Sequence, residues 1–184
     1  MNNQDEQLES LRYPIGRFSR PTTIDKNQID LYINTIAELP EKLTIVVRGL
    51  THNQLDIPYR PDGWTVRQLI HHIADSHMNS FIRFKWTLTE DKPTIKTYDE
   101  KLWAEIPEAR TAPVELSLNL LSTLHARWVL MLKNLTLEDR QRSFVHPESG
   151  REISLDTNIA LYAWHSQHHL AHIVRLIQRE GWDS

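Results

Sequence analysis

Residues 155–181 read LDTNIALYAWHSQHHLAHIVRLIQREG. Leu155, Ile159, Tyr162, Ala163, Leu170, Ile173, Val174 and Ile177 recur at the spacing of an α-helix with one buried face. Ser154, just ahead, can cap the free N–H groups of the first turn. Gly181 is a natural stop, because glycine takes the left-handed conformation that ends many helices. A long amphipathic helix from about Leu155 to Gly181 is therefore predicted.

The same pattern recurs upstream. Ile29, Ile33, Ile36 and Ala37 predict a helix opening at Asp25, and Pro40 should kink or split it. Apolar residues resume at Leu43, Val46, Val47 and Leu50. Thr65 with Gln68 forms a capping-box sequence, and the helix behind it should reach about Leu88. Pro113 suits a first turn, and Leu116, Leu120, Leu124, Trp128 and Leu132 continue that helix. A short helical piece is expected at Leu137–Gln141, then a small hairpin in FVHPESGREISL around its Pro-Glu-Ser-Gly turn. Residues 1–24, punctuated by Pro14, Gly16 and Pro21, read as an irregular surface strap. Four long helices and little strand predict an all-α four-helix bundle, one domain over 1–184, with one small β-hairpin before the last helix. The polar connection from Thr89 to Ala112 is long enough to cross the end of the bundle.

Histidine placement is the uneven feature. Of ten histidines, three fall within residues 71–77 and four within 165–172. His165/His169 and His168/His172 are i, i+4 pairs, so each could share one metal ion from a single helix face. At about 100° per residue, His169 lies roughly 60° and His165 roughly 100° from the centre of the apolar stripe. His172 and His168 lie farther out, at roughly 120° and 160°, and are expected to be solvated. A third ligand could come from His71, His72 or His77. The wheel of that helix centres close to His77, which reads either as a ligand or as a buried, hydrogen-bonded histidine. His52, His125 and His146 lack paired spacing.

Composition narrows the function classes. There is no cysteine, which excludes disulfides, thiolate ligands and a cysteine nucleophile. Net charge is −3 with no basic block, so a nucleic-acid footprint is not expected. The N-terminus lacks the apolar core of a signal peptide, and no apolar run nears the roughly 20 residues of a membrane span. A cytoplasmic protein is expected.

Several stretches carry a family resemblance. GWTVRQLIHHIADSHMN at 63–79 and WHSQHHLAHI at 164–173 resemble the DinB-like superfamily. So do YPIGRF at 13–18, QLDIPYRPDGW at 54–64, FIRFK at 81–85, YDEKLW at 98–103, LHARW at 124–128 and FVHPE at 144–148. Within it the chain is most similar to the YfiT branch, metal-dependent hydrolases related to bacillithiol S-transferases. The resemblance implies a four-helix bundle with atypical connectivity, a homodimer, and one zinc or nickel ion per subunit on three histidines. The H-x-A-D context implies His72 as the ligand from the earlier helix, against the wheel's preference for His77, and the paired ligands match His165 and His169.

Three neutral imidazoles leave the ion its full charge. Such an ion can activate water for hydrolysis, or a substrate thiol for transfer. With no cysteine in the chain, that thiol would be a small-molecule cosubstrate. Asp75, three residues past His72, is the candidate catalytic carboxylate, placed to orient an imidazole or a bound nucleophile. Arg83 reads as solvated or as an anion contact. Metal-dependent hydrolase is the first reading, thiol S-transferase the second and a non-catalytic metal-binding dimer the third.

Overall fold

Three of the four long helices begin at a side-chain cap that their own sequence supplies. The computed structural model describes residues 3–182, and residues 1, 2, 183 and 184 of the expected strap and domain lie outside it. Along the chain come α1 (Asn3–Arg12), α2 (Lys26–Val47), α3 (His52–Leu55), α4 (Val66–Thr89), α5 (Glu100–Ala104) and α6 (Pro107–Thr111). Then follow α7 (Val114–Lys133), α8 (Leu137–Gln141), β1 (Ser143–Val145), β2 (Glu152–Ser154) and α9 (Leu155–Glu180). Asp25 accepts from Gln28 N at 2.8 Å, and the Gln28 side chain accepts from Asp25 N at 2.9 Å. Thr65 and Gln68 close the same reciprocal box, at 3.1 and 3.0 Å. Ser154 caps α9 at Thr157 N, and Gly181 ends it with φ 65°. β1 and β2 pair antiparallel, Phe144 opposite Ile153.

The core falls into two apolar clusters, and their membership gives the helix directions. One holds Leu39 and Leu43 of α2, Leu69, Ile70 and Ile73 of α4, Val114 and Leu121 of α7, and Ile173 and Leu176 of α9. The other holds Ile29 and Ile33 of α2, Phe84 of α4, Trp128 and Leu132 of α7, and Leu155 and Ile159 of α9. So α2 and α9 run one way, while α4 and α7 both run the other. α2 packs on α7 and α9, and α4 packs on the same two helices. Parallel α4 and α7 oblige the chain to return a full helix length between them. The connection therefore runs back along α4, where α5 and α6 contact it, rather than across the bundle end. Gln68 donates to Ala104 O at 2.7 Å and Arg67 to Ala112 O at 3.0 Å, holding the return segment on α4.

Three expectations are corrected here. The N-terminal segment is not irregular throughout, because Asn3–Arg12 is helical. The buried stripe of α7 is Val114, Ser117, Leu121, His125, Trp128 and Leu132, whereas Leu116 is 62 % exposed and Leu120 also faces out. A strict four-residue repeat drifts about 40° per step around the helix, so a run of leucines spaced by four leaves the packed face. α2 is not split at Pro40, since one helix spans Lys26–Val47. The missing proline N–H frees the Ile36 carbonyl, four residues back. His125 fills that place, its Nδ1–H donating to Ile36 O at 2.7 Å. No helix among the described residues is long and apolar enough to cross a membrane.

The two readings of α7 separate by mutation. Leu121→Ala, at a fully buried site, should cost about 2–5 kcal/mol in urea unfolding, against about 0.5 kcal/mol or less for Leu116→Ala. Equal losses would mean that the face of α7 is assigned wrongly.

Candidate metal centre

α4 and α9 run antiparallel, and the level at which they bring histidines together lies between the two apolar clusters. Ring nitrogens of His72, His165 and His169 all lie within 4.8 Å of one another. His165 Nε2 and His169 Nε2 are 3.1 Å apart. Two nitrogens so placed, each at about 2.0–2.1 Å from one ion, subtend roughly 100° at it, which suits tetrahedral or octahedral coordination. The His72 ring packs on Trp64 at 4.6 Å between centroids and meets the His169 ring edge-on at 5.1 Å. Among the described residues no carboxylate joins the group, so the protein offers three ligands and leaves a position open.

His77 and His71 occupy different places. His77, fully buried, has Nε2 3.0 Å from His165 Nδ1 and Nδ1 2.9 Å from His125 Nε2. It sits behind the cluster, joined to His165 alone of the three. His71 faces α7, its Nε2–H donating to Ala112 O at 3.2 Å while Ser117 Oγ–H donates to Nδ1 at 2.7 Å. Burial lowers the pKa of His77, His165 and His169 well below the ordinary 6.5, and neighbouring imidazoles add to this. His72, again mainly by burial, falls to about 4. The cluster is therefore neutral at pH 7, the state in which an imidazole lone pair can bind a metal.

The expectation that His168 and His172 are solvated is overturned, since they are 6 % and 4 % exposed. The end of α1 and the segment after it cover them. His172 Nε2–H donates to Arg12 O at 3.2 Å, Trp164 Nε1–H donates to Gly16 O at 3.2 Å, and Tyr13 packs near His168. A single-helix wheel contains no term for a strap arriving from 150 residues away. His168, His169 and His172 form a second group with nitrogens within 4.8 Å. It shares His169, and a neutral imidazole has one lone pair to give. With His169 Nε2 turned to His165, the first group has the stronger claim.

A cavity of about 860 Å³ opens on both groups. Tyr59, Arg60 and Trp64 wall one side, and Glu100 and Lys101 of α5 another. Gly63 is required in that wall, because a Cβ there would meet Arg60 Cγ at 2.7 Å. A second cavity of about 680 Å³ holds Arg83, Tyr98 and His146, and shares His165, Glu100 and Lys101 with the first. Sequence reading assigned no role to Glu100 and Lys101, although both lie in the YDEKLW stretch at 98–103 that carries the resemblance. Glu100 is exposed, and partial desolvation in the cavity wall raises its pKa from the ordinary value. Arg83 is half-buried rather than solvated, with no hydrogen-bond partner at Nε among the described residues. Asp75 lines neither cavity and makes no side-chain hydrogen bond to the three histidines. It is half-buried near Glu108, and burial followed by that neighbour raises its pKa to about 6. His52 is exposed on α3.

Residues 35–173 match the model of the DinB superfamily. A protein of Bacillus cereus and one of Bacillus thuringiensis subsp. konkukian, both named "Putative metal-dependent hydrolase", are each 51% identical over 175 residues, covering 95% of this chain and all of theirs. Among solved structures, YfiT from Bacillus subtilis superposes with a TM-score of 0.93 at 49% identity, over 95% of this chain and 99% of that one. It is described as "a probable metal-dependent hydrolase with an unusual four-helix bundle topology".

The lowered histidine pKa values make the metal-free protein acid-sensitive. Unfolded, these imidazoles take protons near pH 6.5; folded, His72, His125 and His168 do so only at about 4. Between those values the unfolded chain binds more protons, so stability is full above pH 6.5 and falls as pH drops toward 4. Asp75 and Glu100 act in the opposite sense, but they are two carboxylates against seven histidines. Urea midpoints of metal-free protein at pH 7.5, 6 and 5 should fall in that order, and a flat series would contradict the buried neutral cluster.

Proposed function

The chain belongs to the DinB superfamily, and we propose that it is an enzyme using one divalent ion, zinc or nickel, held by His72, His165 and His169. The observation that carries this reading is three converging neutral imidazoles at the wall of a large cavity, with no fourth protein ligand among the described residues. Structural zinc sites are saturated by the protein, whereas catalytic ones keep a position open. When bound, the ion supplies Lewis acidity, which lowers the pKa of a water or thiol that reaches it.

The chain's own groups do the rest. Trp64 covers one face of His72, and the strap covers His168 and His172. Glu100 is the carboxylate on both cavities, placed where it can take and return a proton. Asp75 receives no role. Hydrolysis of a small-molecule substrate in the cytoplasm is the first reading, in line with the names of the relatives. Transfer of a low-molecular-weight thiol is the second. It is favoured by two cavities meeting at His165, Glu100 and Lys101, which give room for two reactants. A homodimer is also proposed, supported by apolar side chains left exposed on adjacent helices, Leu31 and Ile45 of α2 with Leu116 and Leu130 of α7.

Protein purified without added histidines should contain about one metal per chain by elemental analysis. His72→Ala, His165→Ala and His169→Ala should each lose most of it, and His168→Ala should keep it. Full stoichiometry in His169→Ala would sink the ligand set. Glu100→Gln should hold its metal yet turn over more slowly, in hydrolysis of esters and amides or in thiol transfer to an electrophile. Unchanged turnover would remove Glu100 from the chemistry.

A further inference from the structure

Four helices contribute to one row of hydrogen-bonding atoms between the apolar clusters. Ile36 O of α2 lies 2.7 Å from His125 Nδ1 of α7. His125 Nε2 lies 2.9 Å from His77 Nδ1 of α4, and His77 Nε2 lies 3.0 Å from His165 Nδ1 of α9. We propose that His125 and His77 are positioning residues, which fix His165 in the Nδ1–H tautomer and so aim its Nε2 lone pair at the metal position. The consequence for metal rests on the three-histidine reading above; the tautomers do not.

The direction of the row follows from its first member. A carbonyl oxygen only accepts, so His125 Nδ1 carries the hydrogen. A neutral imidazole has one N–H, so His125 Nε2 is a bare acceptor and His77 Nδ1–H donates to it. His77 Nε2 is then bare, and His165 Nδ1–H donates to it. That leaves His165 Nε2 as the lone pair, on the side of His169. His77 and His125 are 0 % and 2 % exposed and enclosed by aromatic rings, a setting that favours the neutral imidazole with its single N–H.

The row's starting point has a cause in the sequence. Pro40 has no N–H to give the Ile36 carbonyl, which is left free to accept from His125. The rings are also walled in. Trp128 meets both His77 and His125 edge-on at 5.8 Å, and Tyr162 meets His77 edge-on at 5.0 Å. His77 and His125 lie nearly parallel, at 12°, as two rings sharing one hydrogen bond can. A metal-bound histidine whose other nitrogen donates to a fixed acceptor is held in orientation and made more basic.

The test reads tautomers and zinc affinity in the whole chain. Long-range ¹⁵N–¹H correlation on metal-free protein at pH 7.5 should place the hydrogen on Nδ1 of His125, His77 and His165. A hydrogen on Nε2 of His77 or His165 would overturn the relay, and this measurement needs no variant to fold. For zinc alone, titrated against a chelator, His77→Phe should weaken binding about 10–100-fold. His77→Gln, whose amide offers one donor and one acceptor, should recover most of that loss. Wild-type affinity in His77→Phe would overturn the positioning role. Wild-type protein that takes up no zinc would instead contradict the three-histidine reading, while the tautomers still decide the relay.

Discussion

Placing imidazoles across the middle of a helical bundle costs free energy unless their nitrogens find partners, at about 1–3 kcal/mol for each orphan. Here the accounting closes along a row that starts at a carbonyl set free by Pro40 and ends at the lone pair of His165. The row divides the hydrophobic core in two. Helix register, the parallel run of α4 and α7 and the return segment between them bring one histidine each from α4, α7 and α9 to the level of the Ile36 carbonyl of α2. A proline usually read as a helix breaker is here a donor vacancy that the fold uses.

Coverage of the site comes from segments that are not part of the four-helix frame. The end of α1 and the strap after it lie over His168 and His172, and the return segment brings Glu100 and Lys101 to the cavity. Chain topology makes this possible. Because α4 and α7 run the same way, the connection between them must travel the length of α4, and it passes the cluster on the way. The same feature explains why α4 is buried on faces that its periodicity leaves polar. Arg67, Gln68 and His71 lie off the apolar stripe and donate to carbonyls of that segment.

Much of this was legible in local sequence. Ser154 and Gly181 bound α9, and Thr65 with Gln68 opens α4, because caps act within a few residues of the helices that they end. His165 and His169 stood out for the same reason, since i, i+4 spacing is a local property. The hairpin also appeared where turn chemistry put it, and the short helix at Leu137–Gln141 where it was expected. What could not be read was set at long range. His77 meets His125 across 48 residues and His172 meets Arg12 across 160. The face of α7 was misjudged because the evenly spaced leucines are the conspicuous ones, while the packed positions alternate by three and four. His125 gave one overlooked hint, an unpaired histidine in the packed row of Leu121, Trp128 and Leu132. The motif pointed to His72 where the wheel pointed to His77, and each had a reason. His72 faces the cavity, and His77 stands behind His165 within the core.

The central claim is that this layer of histidines is built to present three lone pairs to one ion. A crystal of zinc-soaked protein, with anomalous difference maps on either side of the zinc absorption edge, tests it most directly. The account predicts one strong peak per chain bonded to His72, His165 and His169, with His165 ligating through Nε2 and its Nδ1 still on His77. A peak among His168, His169 and His172 instead, or ligation of His165 through Nδ1 with the bond to His77 broken, would contradict it.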